Sequence, residues 1–299
     1  MINSLTVVDN TLPQTYDAYK NMDATDRRNL TGQGNPLGDI LPRLKINYDA
    51  EVEIEGSDPV SVPRGAWTLT VLDKDENSIR VYAKEAIVRA FLRGYRYVVW
   101  NSDTEKLELL SSIFKGWGDA VFDDLGNEFS GSKFKKSVIK QYPEFDGILK
   151  CQQVIYATVT LPNAVDMNKI PVEVVDVSAL WVVKGSGFMP IADVFKTFTD
   201  KGSDMVDYPL TVTTKREKKG QVTYFVPEVK VGKLIDFTEA DYELLKKFQN
   251  TINAENADLF KKFSKKLEAE KSDNVISVEV VSSDDLGADF NDDLPFPSK

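Results

Sequence analysis

The chain has 299 residues, 42% of them hydrophobic, enough to bury one large core or two small ones. Its net charge is −10 with a pI near 4.8, a balance that argues against nucleic acid as a partner if the charge is evenly spread. With no histidine and a single cysteine, Cys151, it excludes Cys/His zinc sites, Ser-His-Asp and Cys-His nucleophiles, and any disulfide within the chain.

The charge is not evenly spread. Residues 271–299 hold two lysines against seven acids, a net of −5, and the other 270 residues share the remaining −5 with 35 basic groups against 40 acidic ones. A locally basic surface is therefore compatible with an acidic whole. Met1-Ile2-Asn3-Ser4-Leu5 lacks the basic and apolar regions of a secretory signal, and no apolar run approaches membrane-spanning length. The chain reads as a soluble cytoplasmic protein.

Residues 1–40 are polar and turn-rich and read as an N-terminal arm. Strand signals begin near Leu41. Val52–Ile54, Thr68–Leu72 and Ser78–Ala83 alternate, the last two as a hairpin turning at Asp73–Asn77. Ala86–Leu92 reads as a short helix and Tyr95–Asn101 as a strand. Glycines at 116, 118, 126 and 131 make 112–150 irregular. Strand character returns at Gln152–Leu161 and Val172–Lys184, followed by a helix over Ile191–Phe198. Tyr208–Thr214 and Gln221–Val231 form a hairpin with the basic Lys215–Lys219 at its tip. Thr238-Glu239-Ala240-Asp241 is a capping box that opens an amphipathic helix. Tyr242, Leu245, Phe248, Ile252, Leu259, Phe260, Phe263 and Leu267 share its apolar face, and Asn250, Asn253 and Asn256 are candidate breaks. From Ser272 the chain loses periodicity and gains acids. The organisation expected is an arm over 1–40, a β-rich core over 41–236, helix over 237–271 and a disordered acidic tail over 272–299.

Holding a single strand requires cations for phosphates and flat rings for unstacked bases. Arg80, Tyr82, Arg89, Arg93, Tyr95, Arg96, Tyr97 and Trp100 interleave the two, with four arginines in seventeen residues. In a strand Tyr95 and Tyr97 share one face and Arg96 the other, and a domain of this size buries most of its rings, so not every ring is a platform. A second set is Lys115 and Trp117 with Lys133, Lys135 and Lys136, where flanking glycines fit a flexible loop. The Lys215–Lys219 tip reads as a solvated hairpin end, and the paired lysines after 245 as the wet face of a helix. Asp119, Asp123 and Asp124 read as an acidic loop rather than Mg²⁺ ligands, since no lysine is placed with them. There is no phosphate-binding glycine loop, and no catalytic apparatus or cofactor is expected.

The run Asp289-Phe290-Asn291-Asp292-Asp293-Leu294-Pro295-Phe296 closely resembles the acidic C-terminal tip of bacterial single-stranded DNA-binding proteins, which reads Asp-Phe-Asp-Asp-Asp-Ile-Pro-Phe. The resemblance covers eight residues. Asn291 replaces an acid, and Pro297-Ser298-Lys299 follow the final ring of the motif. The core lacks that family's short length and Gly/Gln-rich linker, so the resemblance implies a bacteriophage version. It implies non-specific coating of single-stranded DNA in replication, recombination or repair, without catalysis, as a homo-oligomer or cooperative filament. Asp289, Phe290, Asp292, Asp293, Leu294, Pro295 and Phe296 would recruit replication or recombination proteins in the host cytoplasm. The fold it implies is mainly β with α: an OB-fold-like barrel with peripheral helices. An adaptor or inhibitor that mimics the tip without binding DNA is the alternative reading, and a metal-dependent nuclease bearing such a tail is a third.

Overall fold

The computed structural model describes residues 41–275 apart from 55, 56, 73–75 and 103. The expected arm and the acidic tip, including Asp289–Phe296, lie outside the described residues. Thirteen strands, β1–β13, and three helices, α1–α3, make up the described chain, which is mainly β.

Nine strands form one mixed sheet in the order β13-β12-β6-β10-β11-β1-β4-β5, with β7 also pairing β6. Its spine is β6 (Ala86–Asn101), sixteen residues long. The helix expected over Ala86–Leu92 is thus a strand. Ala86, Val88 and Ala90 are all fully buried, a period of two that outweighs the helix propensity of alanine. β10 (Lys150–Thr160) pairs antiparallel along one edge of β6, with a register shift that leaves Phe91 unpaired. The other edge of β6 is divided. β12 (Leu210–Lys219) takes Ala86–Val88, and β7 (Lys106–Leu110) takes Val98–Asn101.

β11 (Val177–Val183) pairs β10, and β1 (Arg43–Ile46) runs parallel to β11 for two residue pairs, Arg43↔Leu180 and Leu44↔Trp181. β1 then pairs β4 (Trp67–Leu72), which pairs β5 (Ser78–Ala83) as the alternation predicts. β11 is shorter than expected. Val172–Asp176 runs as a loop, ended by Asp176 at φ +48°. The small hairpins β2–β3 (Glu51–Ile54, Ser57–Ser61) and β8–β9 (Ala120–Phe122, Glu128–Ser130) stand outside the large sheet.

The sheet curls far enough for β13 (Val222–Val231) to meet the β1–β4 side, yet among the described residues no ladder joins β13 to β5. The expectation of an OB-like barrel is corrected here: the sheet is mixed and not closed. The approach is made by side chains. Phe225 lies against Gly65, where a Cβ would come within 2.5 Å of the ring, and Thr214 Oγ1 donates to the Gly65 carbonyl. At φ +81° Gly65 also occupies backbone space that other residues enter at a cost. The hairpin strands run through Lys215–Lys219, so the basic stretch is paired strand, and the turn is Gly220-Gln221 with Gly220 at φ +62°.

The curled sheet and α2 (Phe188–Lys201) enclose the main core, with Trp67, Trp181, Ile155, Ile191 and Phe195 at its centre. A second core, around Tyr97, Phe114, Phe134 and Leu149, lies under α1 (Gly131–Gln141). α1 forms where a loop was expected, because Phe134 and Val138, one turn apart, are both fully buried. α3 (Glu239–Val275) is one helix of 37 residues, opened by the predicted capping box. Thr238 N–H donates to Asp241 Oδ2 at 2.7 Å, and Asp241 N–H to Thr238 Oγ1 at 3.3 Å. Phe248 and Ile252 bury it against Phe91, Val154 and Tyr156, each such side chain contributing about 1.5–3 kcal/mol. Tyr242 and Phe260, expected on the buried face, are about half exposed. The asparagines do not break the helix. Asn256 accepts from Ile113 N–H at 2.8 Å and donates to Ile113 O at 2.9 Å, supplying both partners that a neighbouring strand would.

Candidate nucleic-acid interface

The arginine-aromatic stretch 80–100 lies along β5 and β6, and the pleat splits it. Tyr95 and Tyr97 face the core under α1. Tyr97 stacks on Phe134 at 4.9 Å, and its hydroxyl donates to the Gly131 carbonyl at 2.9 Å. Burial pushes the Tyr97 hydroxyl up to about 12. Tyr82 is only 1% exposed. These three rings are structural, not base platforms.

Two of the four arginines are also committed elsewhere. Arg89 donates to Asp241 Oδ1 at 2.7 Å and to Asp236 O at 3.2 Å, which fixes the start of α3 to β6, and to Val206 O at 2.8 Å in the turn before β12. Arg93 donates to Gln153 Oε1 at 2.9 Å and lies 4.9 Å from the Tyr95 ring centre and 4.8 Å from that of Phe195. Arg89 uses all three guanidinium nitrogens in these bonds, and Arg93 is held at Nε and between two rings.

Arg80 and Arg96 do open on a groove. Arg80 lies with Arg43, Lys45, Tyr48, Ser78 and Thr70 on a depression of about 1100 Å³ over β1, β4 and β5. Arg96 lies on a smaller cavity of about 410 Å³ with Arg43, Lys45, Tyr48, Gln152, Lys184 and Phe225. The two share Arg43, Lys45, Ile46 and Tyr48, so they adjoin along β1. Five cations line them, Arg43, Lys45, Arg80, Arg96 and Lys184, against two acids, Asp49 and Glu173. Among the described residues none of the five forms an ion pair. Arg96 is largely withdrawn from water, and burial lowers its pKa while Glu255 opposes the shift. Tyr48, 47% exposed, stands at the rim, edge-on to Phe225 at 5.8 Å.

The cations and rings of the groove come from five separate segments, and the sequence reading found only Arg80 and Arg96 among them. Arg43, Lys45, Tyr48, Lys184 and Phe225 were missed. The signal available was the alternation Arg43-Leu44-Lys45-Ile46, which puts both cations on one face of a four-residue strand.

The second predicted set lies elsewhere. Trp117 is 44% exposed and packs 4.8 Å from the Tyr95 ring, and Lys115 Nζ donates to Gln249 Oε1. Lys133, Lys135 and Lys136 are exposed on α1, on a helix rather than a flexible loop. Trp100, 53% exposed, lies at the end of β6 with neither group. Asp119, Asp123 and Asp124 accept backbone N–H groups of Gly116, Asn127 and Leu110, holding their own loops. Among the described residues no cluster of three metal-ligating side chains occurs, and no helix is long and apolar enough to cross a membrane.

Comparison with protein-family models, with curated proteins and with solved structures found no match.

Proposed function

We propose that this protein binds single-stranded DNA non-specifically along the groove over β1, and that its acidic C-terminal segment recruits replication or recombination partners. The observation that carries the reading is a groove lined by five cations, none of them in an ion pair among the described residues, with an exposed tyrosine at its rim, in a protein whose overall charge is −10. Cations in a concave path attract phosphates, and an exposed ring offers a face to any base. The sequence Asp289–Phe296, with its likeness to the tip of bacterial single-stranded DNA-binding proteins, adds the partner-recruiting half.

The reading is tested by titrating labelled oligo(dT) with the full chain at several salt concentrations, with and without Mg²⁺. With up to five phosphate contacts, log K should fall with log salt at a slope of about −3 to −4. The double variant Lys45→Glu, Arg80→Glu should weaken binding by about a hundredfold or more, as two attractive contacts become repulsive. Absence of salt-dependent affinity would leave the adaptor reading, in which Phe290, Leu294 and Phe296 dock to partners without DNA. A shortened product in Mg²⁺ would replace binding with nuclease activity.

A further inference from the structure

Where the β1–β11 ladder stops at Leu44↔Trp181, the two strands diverge and the 410 Å³ cavity opens between them. Ile46 and Tyr48 line it from one side, Val183 and Lys184 from the other. Its volume is within the range of pockets that enclose a small molecule, and its wall is mixed. Four cations, Arg43, Lys45, Arg96 and Lys184, stand among the lining residues without a carboxylate. The rest of the wall is largely apolar, with Trp181 inside and the Tyr48–Phe225 pair at the rim. A site for phosphate alone has no use for that apolar wall, and a site for an apolar ligand has no use for four cations. A nucleotide uses both.

We propose that this cavity is a mononucleotide subsite. Resting on the reading of the groove as a single-strand path, it takes one base out of the strand, stacks it at Tyr48 and Phe225, and holds its phosphate on Lys184 and the arginines. The remaining strand continues over β4 and β5 past Arg80. The rim is held in place. Gly65 leaves room for the Phe225 ring, and the Tyr48 hydroxyl donates to the Phe225 carbonyl at 3.4 Å. A fixed ring pair gives up little freedom when a base arrives.

The test uses calorimetric titration of the full chain with thymidine monophosphate, deoxyribose 5-phosphate and inorganic phosphate, beside oligo(dT) binding. Thymidine monophosphate should bind saturably, one per chain, and about tenfold more tightly than deoxyribose 5-phosphate, because only the former has a base to stack. Lys184→Glu, at an exposed position, should abolish that binding, whereas Arg80→Glu should leave it intact and weaken only oligo(dT). Equal affinity for the base-free sugar phosphate overturns the subsite. So does the lack of saturable binding of thymidine monophosphate through about 10 mM, where one stacked base and one phosphate contact register. Where oligo(dT) binding persists in either case, the strand reading survives. Thymidine monophosphate binding without oligo(dT) binding supports the cavity as a nucleotide site and removes the strand.

Discussion

Tyr82 brings a hydroxyl into the protein without a hydrogen-bond partner among the described residues, and its ring packs with Val62 and Ala66. A buried donor left unsatisfied costs about 1–3 kcal/mol, because water satisfied it before folding. Tyr82→Phe removes the hydroxyl and keeps the ring, so it should raise stability by about 1 kcal/mol in urea denaturation and leave DNA affinity unchanged. A loss of affinity in this variant would return Tyr82 to the binding surface. The same residue shows why a contiguous cluster in the sequence is a poor guide to a surface. Arg80, two positions earlier on β5, projects to the same side of the strand yet is exposed, while Tyr82 is covered by Val62 and Ala66 and bridged to Val165. The residue types were legible, but their exposure depended on distant segments that cover one and not the other.

At the scale of elements, α3 depends on a polar clamp at its start and on apolar contacts further along. The capping box was legible because both of its partners lie within four residues. The role of Asn256 was not, since Ile113 is 143 positions away, and an asparagine in a helix reads locally as a break. The clamp has a pH signature. Burial tends to raise the Asp241 pKa, but the Thr238 backbone and side-chain hydrogen bonds and the Arg89 charge outweigh it, and the net shift is downward. A carboxylate depressed in the folded state stabilises above its unfolded pKa of about 3.9, and that stabilisation is lost as pH falls through the folded value. Asp241→Asn should therefore lower the urea midpoint at pH 7 and narrow the difference between pH 7 and pH 3 relative to wild type. An unchanged pH difference would mean that Arg89 and Asp241 are not coupled in solution. Arg89→Ala should reproduce the loss at pH 7, because it removes the two hydrogen bonds that join β6 to the start of α3 and the segment before it, and a third to Val206 ahead of β12.

For the whole molecule, charge is divided between a cationic groove and an acidic C-terminal segment. Residues 276–299 hold six carboxylates and one lysine, so half of the net −10 resides in them. α3 ends at Val275, and a deletion of 276–299 leaves every described element intact. On the proposed reading the segment and a DNA strand, alike in sign and in combining anions with large rings, would compete for the same five cations. Its effective concentration is high because it is tethered. Deleting 276–299 should therefore tighten oligo(dT) binding, by about tenfold at 20 mM salt, where the Debye length exceeds 20 Å, and by much less at 0.3 M, where exposed charges are screened. The contrast between the two salts is the informative quantity. A gain that persists undiminished at 0.3 M would point to steric blockage, and equal affinity at low salt would show that the segment never occupies the groove. Phe290→Ala with Phe296→Ala retains all the charge, so this variant should behave as wild type toward DNA and lose partner capture alone.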